Sequence, residues 1–360
     1  MEEIENKKYI LAINPGSTST KIALYENETP LFVHNISHNK KDLEKFKNIN
    51  EQYEYRKKMI LKIVSEKNFD VATLSAIVAR GGLMRPIQGG TYTVNQKMID
   101  DLMAGYSGKH ASNLAAVIAY GIAWDLRIPS FVVDPPVIDE FTPLSKLTGI
   151  PEIKRRSMLH ALNIRAVARR ESVSIGKKLE DINLIVAHMG GGISIAALEH
   201  GKITDGTNAL YEGPMTPERA GALPTGDMMD IAYSGKYKTK EELYAKLVGK
   251  SGFMAYLNTN SMKDVEALYN NGDEMAKLLI EGMAYQISKY IGAMAAVLKG
   301  AVDKIIITGG MAYSKLLTAL ITDRVSFLAG VAIHPGEDEM RALAEGCLRV
   351  LKNEEAAKEY

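Results

Sequence analysis

The sequence predicts an α/β protein of two domains with related folds. Short aliphatic or β-branched runs alternate with helical patterns along the chain. A strand–loop–strand unit near the N-terminus recurs in the second half. At 360 residues the chain also exceeds what one ordinary core encloses.

The first strand pattern is YILAIN (9–14), followed closely by TKIALYE (20–26). A helical pattern over 51–67 leads to the strand LSAIVA (74–79), and patterns over 95–103 and 112–124 lead to SFVVD (130–134). Pro135, Pro136, Pro143 and Pro151 then interrupt regular structure, which predicts a hinge-like domain boundary within 134–151. A helix over 158–174 precedes the strands LIVAHM (184–189) and GISIAALE (192–199). Helical patterns over 240–247, 262–269 and 273–299 follow, then the strand KIIITG (304–309) and a last helix over 337–352. The methionines of 273–299 read as core filling.

ILAINPGSTSTKIALYEN (10–27) lies over LIVAHMGGGISIAALEHG (184–201) without a gap. Gly16/Gly190, Ala23/Ala197 and Leu24/Leu198 are the identities. The shared feature is the pattern of apolar strand, small-residue loop and second strand. It predicts two hairpins, one per domain, whose tips are built to approach something closely.

Composition narrows the function. A formal net charge of +1 without a basic block gives no nucleic-acid footprint. No stretch approaches the run of about 18 apolar residues that a membrane span needs. The start, MEEIENKKYILAI, is charged before its first apolar run, so no signal peptide is expected and the location expected is cytoplasmic. The single cysteine, Cys347, excludes an internal disulfide and reads as a buried, inert thiol.

The first hairpin tip, Asn14-Pro15-Gly16-Ser17-Thr18-Ser19-Thr20-Lys21, can turn N–H groups and hydroxyls on an anion while Lys21 supplies charge. As bare composition it would also serve as a polar turn. It contains no GxxxxGK[ST] loop, and a strand rather than a helix follows its glycine. The second tip, His188-Met189-Gly190-Gly191-Gly192, spends three glycines where a plain turn needs one or two, which suits a backbone lying against a ligand. Gly309-Gly310, after the strand KIIIT and before a helical run, occupies a position that commonly borders a nucleotide.

These three loops resemble the two phosphate loops and the adenosine loop of the acetate kinase family, within the sugar kinase/heat-shock 70/actin superfamily. VARGG (78–82), GKHASN (108–113), FVVDPP (131–136), RRSMLH (155–160) and EGPMTPERAG (212–221) fit the same family in order, over nearly the whole chain. The similarity is greatest to its butyrate kinase branch. It implies two actin-like (ribonuclease H-like) domains with a cleft between them, which close during catalysis. Residues 1–138, joined by the C-terminal helix 340–360, would be the acyl-substrate side, and 139–339 the nucleotide-binding side. It also implies ATP/ADP and Mg2+ as cofactors, butyrate or a similar short fatty acid as substrate, and a homodimer or higher homo-oligomer.

Residue by residue, Asn14, Ser17, Ser19 and Lys21 match the family's first phosphate loop. His188, Gly190, Gly191 and Gly192 match the second, and Gly309 and Gly310 the adenosine loop. His110 matches a histidine lining the acyl pocket, and Asp134 the active-site aspartate. His160 and Arg219 match the histidine and arginine that contact the transferred phosphoryl group. Two positions depart from the pattern. The asparagine of His-Leu-Gly-Asn-Gly is replaced by Gly191, and the family's substrate arginine falls at Ile77. Arg80 or Arg85 is expected to take over that arginine's work. Asp134, with Glu337 and Glu339, would hold magnesium through water.

The chemistry suits these residue types. A carboxylate nucleophile is ionised well below neutrality and needs no general base. What remains is to align two anions and neutralise charge on the transferred phosphoryl group, which a permanently charged, forked arginine does well. The expected activity is therefore reversible phosphoryl transfer between ATP and butyrate or a branched short-chain acid. An acetate or propionate kinase is the alternative, and a non-metabolic actin- or heat-shock-70-like ATPase a more distant one.

Overall fold

The computed structural model describes residues 7–360; residues 1–6, on which part of the signal-peptide expectation rests, lie outside them. The chain divides into two compact units, Met1–Ile138 with Asp338–Tyr360, and Asp139–Glu337. Each unit has its own sheet.

In the first unit β1 (Tyr9–Pro15), β2 (Ser19–Glu26) and β3 (Thr29–Ser37) form an antiparallel meander. β4 (Ala76–Ala79) runs parallel to β1, and β6 (Ser130–Val133) parallel to β4, with β5 (Thr91–Thr93) antiparallel at the edge. The order is β3-β2-β1-β4-β6-β5. The second unit repeats this plan. β7 (Asn183–Met189), β8 (Ile193–Glu199) and β9 (Lys202–Gly206) form the meander, and β10 (Lys304–Gly309) and β11 (Val331–Pro335) continue the sheet in parallel. Its order, β11-β10-β7-β8-β9, is that of the first sheet without β5. The two hairpins read from the sequence are therefore equivalent central pairs.

Central strands are buried on both faces, so they read as continuous apolar runs rather than alternating ones. Leu11, Ile13, Ile77 and Ala79 join Leu114 and Ile118 of the helix Asn113–Leu126 in one core. Ile10, Ala12 and Val78 alternate to the other face, where the helix Glu339–Leu351 packs. That helix lies so close that a Cβ on Gly346 would meet Val133 at 2.5 Å. Cys347, on the same helix, is fully buried, and burial pushes its thiol pKa up. In the second unit Ile185, Ala187 and Met189 pack with Ile280, Met283 and Ile287 of the helix Glu274–Val297, so Met283 and Met294 are core as expected, while Met275 in its first turn is exposed.

The helices expected from the sequence form within three residues of their expected starts. Asn95 caps Gln96–Ala104 by accepting from Met98 N–H, and the 158–174 pattern becomes helical only at Ala161. The sequence reading did not anticipate β3, β5, β9 and β11. β3 is largely exposed and β11 half-exposed, both at sheet edges, while β5 is three residues long and β9 ends in Asp-Gly. The proline-rich stretch contains one short helix, Pro143–Lys146. Among the described residues no helix is long and apolar enough to cross a membrane.

Candidate active site

The residues singled out in the sequence gather in two groups, one in each unit. In the first unit the β1–β2 register pairs Asn14 with Lys21 and Pro15 with Thr20, leaving 16–18 as the tip of the hairpin. Ser17 and Lys21 are exposed, and Ser19 is half-buried. Asn14 Nδ2 donates to Glu339 Oε2 at 2.6 Å, and Glu339 Oε1 is ion-paired with Arg80, which directly follows β4. Strand ends and a helix start thus bring Asn14, Arg80 and Glu339 together.

Asp134 follows β6, is 1% exposed and has a φ of +39°, a backbone region uncommon for non-glycine residues and visited most readily by Asp and Asn. Gly90 holds it there: Gly90 N–H donates to Asp134 Oδ1 at 2.8 Å, and Asp134 N–H donates to Gly90 O at 3.1 Å. His110 is exposed, with its Nδ1 2.9 Å from Ser112 Oγ. Desolvation, and secondly the Arg80 charge, push its pKa below the ordinary histidine value, so it lies within electrostatic reach of Arg80.

Arg85 is not in this group. It makes a two-point bond to Asp101 through Nε at 2.7 Å and Nη2 at 3.0 Å, and its guanidinium lies over the Tyr106 ring at 4.2 Å. Its backbone N–H donates to the Tyr360 hydroxyl, which in turn donates to Asp101. The Asp101 bond raises the Arg85 pKa further. Arg85 is a surface anchor for the chain's last residue. Ile77, at the position of the family's substrate arginine, is fully buried in β4.

In the second unit His160 and His188 stack, with ring centroids 4.0 Å apart and 14° between planes. His188 is 1% exposed on β7. Its Nδ1 lies 2.8 Å from Asn163 Nδ2, and the same amide nitrogen donates to Thr308 Oγ1 at 3.2 Å. An amide nitrogen can only donate, so His188 Nδ1 accepts and its proton sits on Nε2, 3.4 Å from Glu337 Oε2. His160 Nδ1 is 2.9 Å from Ser194 Oγ on β8.

The glycine tip makes room for Arg219. A Cβ on Gly192 would overlap Arg219 Nη1 and stand 3.2 Å from His160 Cε1. Arg219 Nη1 donates to Ala209 O at 2.7 Å, while its Nε is buried without a hydrogen-bond partner. Thr216 ties this loop to the tip, with its hydroxyl donating to Gly191 O at 2.7 Å and accepting from Arg219 N–H at 3.0 Å. Gly190 N–H closes the turn on Gly192 O at 2.9 Å. Gly309 has φ +91°, and a Cβ there would meet the Met189 backbone N at 2.7 Å, so β10 can end against the tip only with glycine. Gly310 is exposed. Glu337 belongs to this unit and Glu339 to the first.

Asn163 and Thr216 escaped the sequence reading, although each left a trace. Asn163 is a polar residue inside the apolar helical stretch ALNIRAVA, and Thr216 begins a Thr-Pro turn.

The acetokinase family model matches residues 150–356. Butyrate kinase 2 of Clostridium acetobutylicum is 52% identical over 352 residues, covering 98% of this chain and 99% of that protein. A probable butyrate kinase of Clostridium botulinum (strain Alaska E43, type E3) is 51% identical with the same coverage. The crystal structure of Porphyromonas gingivalis acetate kinase superposes with a TM-score of 0.80 at 18% identity, over 96% of this chain and 100% of that one. A propionate kinase from Francisella tularensis gives 0.71 at 18%, over 94% and 98%. These structural likenesses carry the actin-like fold expected for the two units. The sequence relatives carry more, and on them the chain belongs to the acetokinase family.

Proposed function

We propose that this chain transfers a phosphoryl group reversibly between ATP and butyrate, or a similar short fatty acid, giving butanoyl phosphate and ADP. The observation that carries the reading is end-to-end identity of 52% to a protein named a butyrate kinase. The Arg219 guanidinium against the glycine tip supports the chemistry, because a permanently charged donor fork held at that tip suits an arriving anion.

In the first unit Asn14, Ser17, Ser19 and Lys21 receive phosphate oxygens. Arg80 holds the carboxylate, and His110 borders the acyl chain. Arg80 fits this work better than Arg85, since Arg80 shares Glu339 with the phosphate-loop residue Asn14, whereas Arg85 sits on the surface with Asp101, Tyr106 and Tyr360. In the second unit Gly190, Gly191, Gly192, Gly309 and Gly310 accept the nucleotide. His188 Nε2–H and His160 donate to its phosphates, and Arg219 neutralises charge on the transferred group.

Among the described residues no three His, Cys, Asp or Glu side chains form a full metal set. That suits magnesium, which keeps its waters and phosphate ligands, and it would supply charge neutralisation on the phosphates. Asp134 is the carboxylate assigned to it through water, with Glu337 second. Glu339 has both oxygens taken by Arg80 and Asn14, so its assigned work is to hold those two in place.

The test is a hydroxylamine trap for acyl phosphate with ATP, magnesium and butyrate. Hydroxamate is expected in proportion to enzyme; none with any acid from acetate to hexanoate would overturn the reading.

A further inference from the structure

Arg56, on the helix Tyr53–Glu66, is fully buried, and its partners are unusual for a buried cation. Nη1 donates to Gly16 O at 3.0 Å, Ser19 O at 2.9 Å and Thr20 Oγ1 at 3.0 Å. Nη2 donates to Ser17 O at 3.0 Å and, with Nε, to Gln52 Oε1 at 2.9 and 3.0 Å. Every one of these acceptors is neutral. Burial pulls the Arg56 pKa down from its ordinary value, and no carboxylate opposes that shift. Leaving a buried charge without a counter-ion is costly, and such arrangements persist where something repays them.

The carbonyls explain what is gained. Gly16, Ser17 and Ser19 point their oxygens at Arg56, and Thr18 O accepts from His38 N–H at 2.9 Å. All four carbonyls of 16–19 are thus turned into the protein. A carbonyl oxygen facing outward would repel a phosphate; here the tip offers its exposed Ser17 and Thr18 without that repulsion. Only a guanidinium has enough N–H donors, in a planar fork, to hold three carbonyls, a hydroxyl and an amide together.

We propose that Arg56 is a positioning residue for the 16–19 tip: it draws the tip's carbonyls inward and serves as the buried cation whose counter-charge is a bound phosphate. The proposal rests on the reading that this tip meets the phosphates of a nucleotide.

Calorimetric titration of the full chain with ATP–magnesium, without any acid, tests it. Arg56→Gln is expected to weaken ATP binding about tenfold or more, the range for charged hydrogen bonds. Arg56→Lys, which keeps the charge but not the fork, should recover part of that loss. KM for butyrate should move by less than about twofold in both. Ile60→Val, one turn along the same buried helix face, lowers stability alone and should leave ATP affinity unchanged. A folded Arg56→Gln that binds ATP as wild type does would overturn the proposal. If both Arg56 variants fail to fold, Gln52→Leu loosens the fork and decides instead, since unchanged ATP affinity there is equally fatal. Wild-type protein that binds no ATP–magnesium would defeat the functional reading itself, a different result from either.

Discussion

Glu339 joins Arg80 and Asn14: one carboxylate oxygen is ion-paired with the arginine, and the other accepts from the amide at 2.6 Å. Helix Glu339–Leu351 thereby fixes the ends of β1 and β4 from the far end of the sequence. Arg85, only five residues from Arg80, is committed elsewhere. Arg80→Ala should lower kcat/KM for butyrate about 10- to 100-fold, the range for a charged hydrogen bond. Arg85→Ala should stay within about threefold of wild type and lose some stability. Steady-state kinetics on the two variants decides between them, and the reverse ranking would mean that Arg85 holds the substrate.

Arg219→Ala should lower kcat by roughly 10³-fold, as for other arginines that neutralise transferring phosphoryl groups, with little change in KM for ATP. Arg219→Lys should recover only part, because one ammonium cannot reproduce the fork. A near-normal kcat in the alanine variant would remove Arg219 from the mechanism.

The glycines of the second unit should separate activity from stability. Gly192→Ala presses on Arg219 Nη1, the end of a side chain that can shift by giving up its bond to Ala209 O, so the protein should still fold. Displacing that guanidinium by about an ångström should still cost roughly 10²-fold in kcat. Gly309→Ala instead sets a Cβ at φ +91° against the Met189 backbone, which cannot swing away. Its thermal or urea unfolding should show at least about 2 kcal/mol of lost stability.

His38 gives the first unit a pH-dependent stability. Its Nε2 lies 2.8 Å from Thr20 Oγ1, and burial, then the Arg56 charge, hold its pKa down from 6.5 to about 4. The unfolded chain takes up this proton near 6.5 and the folded protein only near 4. Between those values the unfolded state holds more protons, so stability falls as the pH is lowered through the window. The loss is at most about 3 kcal/mol. Urea unfolding at pH 7 and pH 4.5 should show the drop in wild type and a smaller one in His38→Gln. Equal drops would assign acid sensitivity to other groups.

Acid length should set the preference among substrates. Acetate and butyrate share a carboxylate and differ by two methylenes, each worth about 0.8 kcal/mol when buried. A pocket enclosing both should favour butyrate by roughly 15-fold in kcat/KM, with acetate still measurable. Activity should rise from acetate through propionate to butyrate and fall by hexanoate, where added volume clashes. A series that peaks at acetate would mean a different member of the family.

The sequence by itself determined the α/β plan, the paired hairpins and the positions of the glycine tips. These follow from local rules, since a doubly buried strand must be a continuous apolar run and a close backbone approach must use glycine. Asn14, Asp134, His160, His188 and Arg219 could also be singled out as candidates from the sequence, because their loops resemble those of a known family. What only the tertiary structure decided is which polar groups meet. Arg56 lies in the charged stretch YEYRKKMILK, yet it is fully buried among the carbonyls of 16–19. Asn163 sets the His188 proton from the helix Ala161–Ser174, and Arg80 and Arg85 part company although only five residues separate them. Each of these outcomes depends on contacts between segments far apart in the chain. Burial of a charge is set by what packs over it, and local periodicity carries no record of that.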